Sequence, residues 1–134
     1  MADIRVVTPT FAVAPQIEAH DIAAITEHGY RLIINNRPDG ETPGQPSAAD
    51  VSAVAAQAGL AYNHIPVVGR PTPTQVAAMR NVILEADGPV LAYCRSGTRS
   101  ITAWALGEVE LGGADRDAVL EAALNAGYDL SSVL

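Results

Sequence analysis

The feature that most restricts how this chain can fold is an alternation of short apolar runs with Ala-rich segments of helical period. The apolar runs are FAVAPQ (11–16), YRLIINN (30–36), LAYNHIPV (60–67) and GPVLAYC (88–94), each of strand length. Helical periodicity falls at 18–29, 47–59, 75–87, 99–113 and 115–128, with Ile22, Ala24 and Ile25 forming one inward stripe. Strands alternating with helices predict an α/β fold, a central and mostly parallel sheet flanked by helices. Punctuation agrees: Gly29 and Gly59 close helices, Ser47 with Asp50 three residues later opens one, and Thr74 is placed to cap 75–87. Two Pro/Gly loops, 37–46 and 68–75, separate elements, and 129–134 reads as a short tail. With no repeat or low-complexity linker, residues 1–134 read as one domain. A chain of 134 residues can bury a core without disulfides or metal. Only 4% of it is aromatic, so that core must be built largely from Ala, Val, Leu and Ile.

Charge narrows the classes of function. The net charge is −7, there is no lysine, and the eight positive residues are arginines scattered along the chain. This argues against a nucleic-acid or anionic-membrane surface, yet leaves room for a local anion site, which needs only a helix N-terminus and an arginine or two. One cysteine cannot form an internal disulfide. No apolar run is long enough to span a bilayer, and the first sixteen residues lack the basic-then-apolar pattern of a signal peptide. The expected location is cytoplasmic.

That single cysteine lies in YCRSGTRS (93–100), between an apolar run and a helical one. The arrangement places Cys94 beside a helix N-terminus, where unpaired N–H groups and the macrodipole favour thiolate. Gly97 permits positive φ, so the amides of residues 95–99 can turn toward one centre as an anion nest. Arg99 adds a guanidinium fork suited to oxyanions, and Ser100 is placed to donate to the sulfur. A lone cysteine after VLAY is commonly a small buried hydrophobe. Here, however, one loop spends a glycine, two arginines and three hydroxyls around it (Arg95, Ser96, Gly97, Thr98, Arg99, Ser100), which packing alone does not require.

Other candidates have plainer readings. His64 reads as a satisfied strand histidine, because no metal-ligand spacing surrounds it. His20 and His28 read as solvent-facing, and no metal site is expected. Asp39 and Glu41 in RPDGE invite a general-acid role, but Asp-Gly marks a turn. Asp87 reads as a turn cap. Arg37, where a loop leaves its strand, is a candidate brace for the rim of the site, and Arg70, in the 66–75 loop, a candidate binder of an anionic substrate; either reads equally as a solvated surface arginine. Trp104 and Leu106 read as core or a subunit contact.

GPVLAYCRSGTRS resembles the phosphate-binding loop of cysteine-dependent protein phosphatases of the dual-specificity type, whose pattern is C-x-x-G-x-x-R-[ST]. GYRLIINNRPDGE and GLAYNHIPV resemble the neighbouring strands of those enzymes. The resemblance is strongest to a bacterial phosphatase-like domain that occurs alone or fused to β-lactamase-fold hydrolases of persulfide metabolism, and that has also been classed as a sulfurtransferase. It covers nearly all of 10–113. Two departures stand out. The loop is one residue shorter between Gly97 and Arg99, resembling the active-site loop of rhodanese sulfurtransferases. The 66–75 segment also lacks the aspartic acid that protonates a leaving alkoxide, a contribution of about 10²–10⁴-fold.

The resemblance therefore implies a cysteine-phosphatase-like fold and a sulfurtransferase acting through a Cys94 persulfide. Cys94, Arg99 and Ser100 are its catalytic group, with Arg95, Ser96, Gly97, Thr98, Arg37 and Arg70 around the substrate. A phosphatase acting through phosphocysteine is the alternative, and a non-catalytic anion-binding domain the third class. No cofactor is implied. The expected partners are a small anionic sulfur donor or phosphate-like anion and a persulfide-metabolism enzyme.

Overall fold

The computed structural model describes residues 2–134. A hairpin of β1 (Arg5–Thr8) and β2 (Phe11–Ala14) is followed by a 3-10 turn at Ala19–Asp21, α1 (Ile22–Glu27) and β3 (Leu32–Asn35). Then come α2 (Ala48–Gln57), β4 (Ala61–His64), α3 (Pro73–Glu85), β5 (Val90–Tyr93), α4 (Thr98–Leu106) and α5 (Arg116–Asn125). The sheet order is β1-β2-β5-β3-β4. Pairing is parallel throughout except for antiparallel β1 on β2.

Period-two alternation sorts the strands onto two apolar layers. Phe11, Val13, Leu32, Ile34, Val90 and Ala92 pack with residues of α3, α4 and α5. Ala12, Ala14, Ile33, Leu91 and Tyr93 face residues of α1 and α2. Ile33 and Leu91 are completely buried, each stabilising the fold by roughly 1.5–3 kcal/mol. Trp104 belongs to the first layer and stacks on Phe11, ring centroids 5.2 Å apart; Leu106 is also buried.

Three local differences from the expected elements have physical reasons. β1 does not follow from local pattern, because Val6 and Val7 make too short an apolar run before Pro9; pairing with β2 supplies what that pattern lacks. α3 starts two residues early, at Pro73, because Thr72 rather than Thr74 accepts from Gln75 N and Gln75 reaches back in a capping box. The helix expected over 99–113 is α-helical only to Leu106 and continues as a π turn over Gly107–Leu111. No helix among the described residues is long and apolar enough to cross a membrane.

What matters for the site is register. Ala14 pairs with Tyr93, Tyr93 with Asn35, and Asn35 with His64. Four parallel strands thus end flush, and the segments after them meet at one edge, where open α/β sheets bind ligands.

Candidate active site

Cys94 follows the last residue of β5, and its backbone N–H donates to Ala14 O. The residue is fully buried, yet it belongs to neither apolar layer. Its Sγ accepts a hydrogen bond from Gly97 N at 3.1 Å. Gly97 is the N-cap of α4 with φ of 92°, in the left-handed region that glycine tolerates. The sulfur therefore sits at a helix N-terminus and not in a packing layer. Among the described residues, the backbone amides of Arg95, Ser96 and Arg99 donate to nothing, leaving free N–H groups on the loop around the sulfur. Ser96 and Thr98 are tied to each other on the exposed lip, Oγ to Oγ1 at 3.0 Å. Arg95 is exposed. Ser100 does not donate to the sulfur as expected: its Oγ is buried without a hydrogen-bond partner, and Gly97 N holds the sulfur instead.

Arg99 reaches across the strand ends. Its Nη1 donates to Glu41 Oε2 at 2.8 Å and to Val67 O at 2.8 Å, and its Nη2 donates to Glu41 Oε1 at 2.9 Å. This is a two-pronged carboxylate pair. Arg37 holds the same carboxylate from the other side, Nε to Glu41 Oε1 at 2.8 Å. The Arg37 side chain is buried, and it also donates to Gln16 Oε1 and Thr42 Oγ1. Arg37 is thus a brace and not a solvated arginine. Below it, Asn35 Oδ1 accepts from Arg37 N while Asn35 Nδ2 donates to Tyr62, whose hydroxyl meets that of Tyr93 at 3.2 Å.

These contacts set the protonation states. The Arg99 hydrogen bonds, reinforced by Arg37, bring the Glu41 carboxyl down to about 2 against the cost of desolvation. Arg99 is raised, first by its bonds to Glu41 and then by attraction to Cys94. Glu41 is consequently a fixed anion at neutral pH and cannot serve as a proton donor. Asp39 is occupied elsewhere, its Oδ1 accepting from Ala48 N at the start of α2.

Arg70 is exposed and donates to Val133 O at 3.2 Å. With Arg99, Thr98 and Val133 it lines a cleft of about 270 Å³ beside the loop. His64 is satisfied by Arg37 O at 2.8 Å, while His20 and His28 lie at the surface. Glu41 does more at the site than its place beside an Asp-Gly turn suggests. Its only local trace is the four-residue spacing from Arg37.

A buried cysteine at a helix N-terminus, an arginine folded over the strand ends and a parallel sheet define a cysteine-phosphatase-like domain. The family model for the phosphatase-like domain of beta-lactamase hydrolase-like proteins matches residues 3–111, and the chain belongs to this family. A beta-lactamase hydrolase-like protein of Xylella fastidiosa (strain Temecula1) is 41% identical over 120 residues. That match takes in 89% of this chain and 28% of the relative, so the chain spans little more than a quarter of the relative's length. A solved candidate phosphatase from Neisseria meningitidis Z2491 is 33% identical with a TM-score of 0.85, covering 96% of this chain and 92% of that one. P. aeruginosa TpbA, solved in complex with phosphotyrosine, is 20% identical with a TM-score of 0.67 over 96% of this chain and 76% of its own, and shares the fold.

Proposed function

We propose that this domain is a sulfurtransferase working through a Cys94 persulfide. The carrying observation is Glu41, held ionised across the Arg99 fork with its carboxyl lowered to about 2. With Glu41 unable to give a proton and no carboxylate in 66–75, an alkoxide leaving group has no acid to protonate it. Sulfur transfer needs none. The Cys94 thiolate attacks the outer sulfur of a thiosulfate-type donor. The S–S bond of the donor breaks, sulfite leaves with the electron pair, and Cys94 carries the sulfur as a persulfide anion. An acceptor thiolate, cyanide or sulfite then attacks that terminal sulfur and returns the Cys94 thiolate. Gly97 N and the free loop amides stabilise the anionic sulfur, and Arg99, Arg95 and Arg70 attract the anionic donor. In this reading the partner is a persulfide-metabolism enzyme that supplies or consumes the sulfur.

Phosphoryl transfer through phosphocysteine is the second reading, favoured by the likeness to a candidate phosphatase over nearly the whole chain. One experiment separates the two. Protein incubated with thiosulfate or glutathione persulfide should gain one sulfur on Cys94 by intact mass and lose it to an acceptor thiol, while alkyl phosphates turn over feebly. Brisk Cys94-dependent turnover of phosphoserine or phosphotyrosine peptides, with no sulfur adduct, would reverse the assignment.

A further inference from the structure

The peptide unit joining Ser96 to Gly97 is gripped at both ends. Its N–H donates to Cys94 Sγ at 3.1 Å, and its C=O accepts from the Tyr128 hydroxyl at 2.8 Å. In a trans peptide these groups point in opposite directions, so fixing the carbonyl fixes where the N–H points. Tyr128 follows α5, beyond the 3–111 segment that the family model matches. It is buried, and the Arg5 guanidinium lies 5.5 Å from its ring centroid. Burial raises its pKa above the ordinary value of 10, so the phenol keeps its proton and remains a donor at neutral pH. The fit leaves no slack: a Cβ on Gly97 would collide with the Tyr128 hydroxyl.

We infer that Tyr128 is a positioning residue for the reacting sulfur: by holding the Ser96 carbonyl outward it keeps the Gly97 N–H aimed at Cys94 Sγ. Hydrogen bonds in series also polarise one another, so the phenol makes the amide on the far side a better donor. Without the phenol the peptide is free to turn, and the sulfur loses its one backbone donor. This inference rests on Cys94 being the reacting thiol, and not on whether sulfur or phosphoryl is the group transferred.

Tyr128→Phe keeps the ring and its packing and removes only the hydroxyl. At neutral pH, Cys94 in this variant should react with iodoacetamide roughly two- to tenfold more slowly than in the wild type, the span of one neutral hydrogen bond. The Gly97 amide proton should shift upfield and exchange faster in NMR spectra. A purely structural tyrosine predicts the opposite sign, because a loosened loop exposes the sulfur and speeds alkylation. Unfolded in denaturant, both proteins should alkylate alike. An unchanged or faster alkylation rate in folded Tyr128→Phe, or an unmoved Gly97 amide, would overturn the inference. Neither readout depends on sulfur transfer, so a failed persulfide assay leaves this test standing.

Discussion

Two loops leave the carboxyl ends of β3 and β4, on one side of the cysteine strand, and they are built differently. The loop over 37–46 is cross-braced. Arg37 is buried within it, Gln45 ties Glu41 N to Pro38 O, and Asp39 caps the next helix. It delivers a carboxylate to Arg99. The loop over 66–75 delivers only a backbone oxygen, Val67 O. Val68 beyond it is 78% exposed, and Arg70 reaches away to Val133. In a phosphatase the second loop would bring the acid. Here the fixed charge comes from the first, and it is a base too weak and an acid too strong to move a proton at neutral pH. The contrast teaches that a carboxylate near a reactive cysteine can serve as a countercharge, holding an arginine in place, and not as a proton donor.

The largest expected effect comes from cutting Arg99, which joins both loops. Arg99→Ala removes the fork from Glu41 and the donor from Val67 O, and sulfur transfer from thiosulfate should fall by roughly 10²–10³-fold, the usual cost of losing one preorganised donor. A loss of only a few-fold would mean that the loops are joined by something else.

Glu41→Gln tests the charge while keeping the shape. Because the folded-state value lies below the ordinary 4.5, the carboxylate stabilises the fold fully above about 4.5, and the gain is lost as pH falls toward 2. Urea unfolding at neutral pH should show the variant less stable by about 1–2 kcal/mol, a figure reduced for partial solvation. The gap should close in acid. An equal gap at both pH values would place the effect in packing and not in charge.

Smallest of all should be Arg70→Ala, with stability within about 0.5 kcal/mol of the wild type and thiosulfate turnover reduced only a few-fold. Abolished turnover would give the second loop a role in the chemistry and erase the contrast.

The parts of this molecule readable from sequence are those with local causes. VLAY followed by CRSGTRS gives strand, loop and helix because the hydrophobic period changes across a glycine, and Ser47 marks a helix start through its own side chain. The β1 pairing, the Glu41 clamp and the Tyr128 contact have distant causes. Glu41 meets Arg99 across 58 residues and Tyr128 meets Ser96 across 32, and neither pair leaves a periodic trace. RPDGE carried both a turn and an ion-pair spacing. Its Asp-Gly was the louder signal, although Arg37 and Glu41 do more at the site.

The complete burial of Cys94 has a consequence for reach. A recessed sulfur is reached more readily by a slim reagent than by a bulky one. On the proposed sulfur-transfer reading, one added sulfur would extend the side chain by an S–S bond, about 2 Å, beyond the buried thiol. Loading would then change whom the cysteine can touch as well as what it carries. The empty domain would be shielded from large thiols and the charged one open to them, so recession alone would impose an order on the encounters: small donor first, large acceptor second.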